Sequence, residues 1–292
     1  MKTGTITSGE GAELCYFERG DLHGSPVFWL HGTPGSRLSQ PVEDNALNAL
    51  GVRVITYDRP GYGLSTRRPG RQVVDAAADV ALIADHLKID TFMLVGRSGG
   101  APHALAVTAR LPERVSLVRS VAGVAPYQCP DLDWFAGMDP SNIREFHVAL
   151  QGEAELTEEL TQNAQDMLRQ LENGTEQFLA DFDLPDADRD ARNEPLFEET
   201  TRAAIREALR NGIGGWIDDD LAIMRPWGFE VEEIAVPTQI QYGLSDNVVP
   251  PTHSMWLADH IPHASRIPDA GVGHLTSPGQ ELRMLREMIH RT

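Results

Sequence analysis

One short stretch constrains this chain more than any other. Phe92-Met93-Leu94-Val95 is a continuous apolar run. It passes without a linker into Gly96-Arg97-Ser98-Gly99-Gly100, and a helical pattern follows from Gly99 to Leu111, stopping before Pro112. A run that is apolar on both faces suits the interior of a parallel sheet. The glycine turn then lies at the carboxyl edge of that sheet. So sharp a turn strains the serine backbone, Gly96 and Gly100 leave room for the crossing chains, and the Ser98 hydroxyl is presented beside a helix N-terminus. A lone Gly-x-Ser-x-Gly is common by chance. Its place between strand and helix makes Ser98 a candidate nucleophile.

The same alternation extends through the first third of the chain. Glu13–Glu18, Val27–Leu30, Val52–Tyr57 and Val115–Val124 read as further strands, and Val73–Leu87 as a helix. From about Tyr127 to Phe229 the pattern is helical. Leu156, Leu160, Ala164, Met167 and Leu171 mark one helix face, and a second helix around Leu196–Leu209 stops near Gly212. Strand character returns at Pro237–Tyr242, then a helix at Thr252–His260, a short strand at Ser265–Pro268 and a last helix from about Gly279 to His290. This predicts an α/β fold with a mostly parallel sheet, residues 1–126 and 235–292 forming the core domain and 127–234 an inserted helical cap. Chemistry in such sheets gathers beyond the strands' carboxyl ends.

Composition limits the function classes. The 292 residues carry a formal charge of −18. Between Pro130 and Glu230 stand 24 Asp and Glu against eight Arg and no Lys. This acidity is read as a solvated helical surface, and it argues against nucleic acid as a partner. No apolar run approaches a membrane span, so no membrane association is expected. The N-terminus lacks a signal-peptide pattern, and Cys15 and Cys129 make neither a disulfide framework nor a metal-ligand spacing. The expected setting is the cytoplasm, with no metal and no cofactor.

A serine hydroxyl needs a base. Among ten histidines, His274 stands out on the loop Gly271-Val272-Gly273-His274-Leu275, after the last strand. His103, five residues past Ser98, is carried away by its helix and is read as packed. His31 braces a glycine turn, and His86, His253, His260, His263 and His290 fall in helices or turns. The acid that orients the base is placed at Asp246, just after a strand, with Asp269 as the alternative. Oxyanion donors are expected from the backbone N–H groups of Gly99 and Thr33; Pro34 has none to give.

Taken together, His31-Gly32-Thr33-Pro34-Gly35-Ser36-Arg37, Asp58-Arg59-Pro60-Gly61-Tyr62-Gly63-Leu64-Ser65, the Ser98 turn and the Asp246 and His274 loops resemble the α/β-hydrolase superfamily. The likeness is to capped serine hydrolases of the branch containing epoxide hydrolases and proline iminopeptidases, over about residues 10–126 and 235–290. It implies an eight-stranded sheet, the triad Ser98–Asp246–His274 and a helical cap after the sixth strand. The chain departs from epoxide hydrolases in having Ser98 where they have Asp. It departs from proline iminopeptidases in having Thr33 where they have Gly, and Gly99 where they have Trp. Arg97 is expected to pair with Asp58.

The cap is expected to select the substrate. It is rich in aromatic residues: Tyr127, Trp134, Phe135, Phe146, Phe178, Phe182, Trp216, Trp227 and Phe229. Most are assigned to packing, with Trp134, Trp216 and Trp227 as candidates to touch substrate. Asp218-Asp219-Asp220 is read as a helix N-terminal turn. The expected function is a carboxylesterase-like hydrolase that cleaves a small, hydrophobic acyl ester or lactone through an acyl-enzyme on Ser98. Thioester cleavage, cyclisation, carbon–carbon hydrolysis and peptidase action remain as alternatives on the same triad, and a non-catalytic binding protein as one outside it. An acidic acyl carrier protein fits poorly against an acidic cap.

Overall fold

A computed structural model describes residues 1–9, 11–173 and 184–290 of the chain. Eight strands form a single sheet: β1 (Lys2–Thr7), β2 (Glu13–Gly20), β3 (Ser25–Leu30), β4 (Val52–Tyr57), β5 (Phe92–Arg97), β6 (Val115–Val121), β7 (Thr238–Gly243) and β8 (Ala264–Asp269). Their order across the sheet is β1-β2-β4-β3-β5-β6-β7-β8. The pairings β1–β2 and β2–β4 are antiparallel and every other pairing is parallel.

Alternation along the central strands builds two apolar layers. On one face Phe28, Leu30, Ile55, Leu94 and Val118 meet the helices α2 (Ala76–His86), α3 (Gly100–Arg110) and α9 (Pro251–His260). On the other, Val27, Trp29, Val54, Met93 and Val95 meet Leu47 of α1 (Asp44–Leu50) and Met284, Leu285 and Met288 of α10 (Pro278–Ile289). Local chemistry sets the helix ends. α10 starts with Ser277 and Gln280 bonding each other's backbone N–H groups and Pro278 in the first turn. α1 stops at Gly51, whose φ of 66° only glycine takes freely.

The expected strands and helices are present. The parallel strands begin or end within a few residues of their predicted bounds. β6 ends at Val121 rather than Val124 because the chain turns out of the sheet at Ala122, which has a φ of 49°. Outside the insertion two elements were not expected, β1 and α1; within it, Asp186–Arg192 is a helix although the polar, acidic stretch 181–193 reads as a loop. β1 is an exposed edge strand with no apolar stripe, and α1 buries only Leu47.

Between β6 and β7 lie α4 (Pro140–Ala149), α5 (Glu153–Asn173), α6 (Asp186–Arg192), α7 (Pro195–Ala208) and α8 (Gly214–Ile223). Leu156, Leu160, Ala164 and Leu171 form the buried face of α5. Most of the insertion's core is continuous with the sheet's, while Leu171 and Ile205 form a small cluster of their own. Trp134, Phe146, Trp216, Ile217, Trp227 and Phe229 belong to the same apolar cluster as Phe28 and Leu94. Phe178 and Phe182 lie outside the described residues. Among the described residues, no helix is long and apolar enough to cross a membrane.

Among the described residues most acids of the insertion face solvent or are only half-buried, as expected, but a few turn inward. Several acids pair with arginines in the loops after β3 and β4. Glu207 holds Arg37 at 2.7 Å, Asp218 and Glu153 hold Arg67 at 2.9 Å each, and Asp219 holds both Arg59 and Arg71. Asp218-Asp219-Asp220 is also not a helix N-terminal turn. The three sit in the middle of α8, all of them buried.

Candidate active site

The site forms where the loops after β3, β5, β7 and β8 converge. At the end of β5, Ser98 takes a φ of 50°, a left-handed conformation costly for any residue but glycine. Its glycine neighbours explain how the turn fits. A side chain at Gly96 would run into Ala101 and Ala104, and one at Gly100 into the carbonyls of Leu30 and His31. β5 therefore passes directly into α3 with Ser98 at the apex, and the Ser98 N–H is fixed by the Val121 carbonyl at 2.8 Å.

His274 Nε2 lies 3.1 Å from Ser98 Oγ, and His274 Nδ1 lies 2.9 Å from Asp246 Oδ2. Asp246 is buried. Its other oxygen accepts the N–H groups of Val248 and Val249, each at 2.9 Å, so the carboxylate has one orientation left for the imidazole. With the proton on Nδ1, His274 donates to Asp246 and leaves Nε2 free to accept the serine proton. Asp269, the alternative acid, instead accepts the N–H of Gly271 at 3.1 Å and is not the imidazole's partner.

The loop after β3 crosses beside the serine. A Cβ placed on Gly32 would sit 3.4 Å from Ser98 Cβ and 3.9 Å from Oγ. Gly99 and Thr33 face each other closely enough that a Cβ on Gly99 would lie 3.2 Å from the Thr33 nitrogen and collide with the Thr33 hydroxyl. The Gly99 and Thr33 backbones thus lie close together beside the serine, where N–H donors would meet a developing oxyanion.

That β3 loop is tied to the insertion. Thr33 Oγ1 donates to Asp219 Oδ2 at 2.7 Å, and Tyr62 Oη donates to the same oxygen at 2.9 Å. Arg71 donates to Asp219 Oδ1 at 2.6 Å, and Arg59 donates both to Asp219 and to the carbonyls of His31 and Gly32. Burial by itself would push the Asp219 carboxyl up; the Arg59 and Arg71 guanidiniums overcome it and hold it well below the usual carboxylate range. His103 is packed as expected, with Nε2 3.3 Å from Asp219, and burial takes it down to about 4.

Arg97 does not pair with Asp58, contrary to expectation. It donates to Thr276 Oγ1 at 2.6 Å, to Glu281 at 2.8 Å and to the His274 carbonyl at 2.8 Å. Asp58 is bound by the side chain of Arg37, by its N–H at 2.7 Å and by the Leu64 N–H. The side chain at Arg97 thus leaves β5 toward the histidine loop, whereas Asp58 closes the turn after β4. The three tryptophans expected near substrate are each buried, and each indole N–H bonds within the protein: Trp134 to the Ala125 carbonyl, Trp216 to Glu145 and Trp227 to the Ile223 carbonyl. These contacts account for them as packing residues.

One residue at the site had no sequence signal. Asp188, on α6, accepts the backbone N–H of Gly273 at 3.0 Å and of His274 at 2.7 Å. It sits in no motif, and its partners lie 85 and 86 positions away.

A mostly parallel sheet of this order, with Ser98, Asp246 and His274 on the loops after β5, β7 and β8, is the arrangement of α/β hydrolases. A family model of the alpha/beta hydrolase fold matches residues 25–278, and the chain belongs to that family. A non-heme chloroperoxidase of Streptomyces lividans is 34% identical over 152 residues, covering 50% of this chain and 54% of that protein. A proline iminopeptidase of Xanthomonas citri is 31% identical over 126 residues, covering 41% and 39%. The chain thus spans about half the length, or less, of the curated relatives it matches. Among solved structures, an esterase from Thermogutta terrifontis superposes with a TM-score of 0.68 at 23% identity, covering 100% of this chain and 99% of that one. A bromoperoxidase from Bacillus anthracis gives 0.71 at 21% identity over 100% of both chains. At these identities the structures speak to the fold alone.

Proposed function

We propose that this chain is a serine hydrolase acting on a small-molecule carboxylic ester or lactone with a hydrophobic acyl part. The observation that carries the reading is the continuous relay from Ser98 Oγ through His274 to Asp246, with separations of 3.1 and 2.9 Å. In the first half-reaction Ser98 Oγ attacks the acyl carbon as its proton passes to His274 Nε2. The oxyanion is taken up by the N–H groups of Thr33 and Gly99. The carbon–oxygen bond to the leaving alcohol breaks, and His274 returns the proton to that alcohol. In the second, water attacks the acyl-enzyme with His274 again as base, releasing the acid and free Ser98. Asp246 stabilises the imidazolium formed in both halves. Helices α4–α8 act as a cap over this site, and the cytoplasm is the proposed setting.

The test is labelling by a fluorophosphonate probe, run beside an ester and lactone panel. The wild-type protein is expected to label and to turn over part of the panel, while Ser98→Ala and His274→Ala do neither. A folded wild-type protein that labels at no serine, or labels equally in Ser98→Ala, would overturn the reading.

A further inference from the structure

The histidine loop is gripped from outside the sheet. Asp188 comes from the insertion and is fully buried, and its two carboxylate oxygens accept the consecutive N–H groups of Gly273 and His274. The approach depends on Gly273, since a Cβ there would come within 2.6 Å of both oxygens. The following peptide is held by Arg97, which donates to the His274 carbonyl and is itself paired with Glu281. The loop therefore sits between a carboxylate of the insertion and a guanidinium of the sheet.

We propose that Asp188 is a positioning residue for His274, fixing the loop that carries the imidazole and supplying a second negative charge, beside that of Asp246, to the imidazolium formed during turnover. The inference rests on the reading of His274 as the base. A carboxylate enclosed by protein is poorly solvated, and here a second carboxylate, Asp246, stands near it. Burial, the largest influence, pushes the Asp188 carboxyl up, and the Asp246 charge adds to this; the N–H groups of Leu275 and His274, and the charge of a protonated His274, draw it back. Linkage makes that last effect mutual. If a protonated His274 favours an ionised Asp188, an ionised Asp188 favours a protonated His274 to the same degree. In the proposed reaction the imidazole gains charge as it takes the serine proton, so this interaction strengthens toward the transition state. Among the described residues, the charged and titratable groups around the imidazole and its loop are Asp246, with His253 behind it, Asp188 and the Arg97–Glu281 pair, with the Ser98 hydroxyl at Nε2.

The experiment compares Asp188→Asn and Asp188→Glu with wild type by two readouts. One is kcat/KM across pH for Ser98-dependent ester hydrolysis. The other is NMR titration of the His274 imidazole, assigned by its loss in His274→Gln, which needs no substrate. Asp188→Asn keeps an acceptor but loses the charge. The acid limb of the profile and the imidazole midpoint are both expected to move down by about one pH unit, with kcat/KM on the plateau falling about ten-fold. Asp188→Glu keeps the charge on a longer arm, so the midpoint should stay near wild type while the plateau falls. Should Asp188→Asn not fold, Asp188→Ser is judged by the same criteria. An unmoved limb and midpoint in the charge-free variant overturns the proposal, even if activity falls, because a purely structural contact would do no more than that. If the wild-type protein neither labels nor hydrolyses esters, the hydrolase reading fails by itself, and the imidazole midpoint still decides whether Asp188 and His274 are coupled.

Discussion

The sheet-edge loops and the helical insertion are organised on opposite principles. In the loops, two of the candidate catalytic groups are fixed by their own neighbourhood. Ser98 is held in its glycine turn, and Asp246 by N–H groups two and three residues ahead. In the insertion, almost nothing important is local. Glu207, Asp218 and Asp219 each pair with arginines about 150 or more residues away, and Asp188 reaches the histidine loop. The difference teaches that the insertion is more than a roof. It shares the sheet's apolar core and holds two of the loops that the proposed chemistry uses, through Thr33 and through His274.

The sharpest way to break this comparison is at Asp246. If the chemistry belongs to the sheet-edge loops, Asp246→Asn should leave the fold intact and lower kcat by about 10⁴-fold, because the amide no longer favours the tautomer that frees Nε2 for the serine proton. Steady-state kinetics beside a circular-dichroism melt measures both. Activity within ten-fold of wild type would mean that the insertion's carboxylate, Asp188, supplies most of the support to the imidazole, and the division between the two regions would fall.

This contrast also explains what was legible in the sequence. The seven strands after β1 announce themselves as short apolar or alternating runs, and the order Ser98, Asp246, His274 follows from which strand each residue terminates. β1 was not legible because an exposed edge strand, Lys2–Thr7, buries too little to impose a pattern. α1 is seven residues long with one buried side chain, below what helical periodicity can reveal. The pairings were harder still. Arg97 was matched with Asp58, each at the end of a strand, while its partners Thr276 and Glu281 lie beyond the histidine in the chain. Asp188 and Asp219 were hidden in a crowd of acids, because a buried carboxylate and a solvated one are the same letter. Only tertiary packing separates the two.

A second test bears on how firmly the insertion is docked. Asp219→Asn removes one charge facing two enclosed guanidiniums, Arg59 and Arg71. Stripping the partner from a buried ion pair leaves uncompensated charge, at about 3–5 kcal/mol. Denaturant unfolding should show a loss of that order, with activity falling as the Thr33 loop loosens. The pH dependence has a definite sign. The folded-state carboxyl of Asp219 is depressed by its arginines. Its contribution is therefore complete above the ordinary carboxylate range and disappears only as pH drops far below it. The gap between variant and wild type should thus persist through mildly acidic solution. A loss under 1 kcal/mol would make the insertion a loosely seated lid, as an acidic solvated surface would have implied.

The smallest expected effect lies one residue further along α8. Asp220 and Glu145, a residue of α4, are neighbouring carboxyls, and Glu145 also accepts the indole N–H of Trp216 at 2.9 Å. Burial, with the charges of Glu145 and Asp219 added, raises the Asp220 carboxyl well above its usual range; burial likewise raises Glu145. For acids shifted upward on folding, the stabilisation is present at low pH and lost as pH rises through the folded-state values. At neutral pH this pair therefore works against the fold, unlike the arginine-paired acid beside it. Asp220→Asn keeps the shape, removes one charge and can donate to Glu145. It should stabilise the protein at neutral pH by about 1 kcal/mol, a rise in melting temperature of about 2 °C. The advantage should shrink as the solution is acidified and the wild-type pair takes up its proton. A loss of stability in Asp220→Asn that is unchanged at low pH would show instead that the carboxyl pair is itself one of the insertion's attachments, and that this part of α8 is fastened more like Asp219 than its chemistry implies.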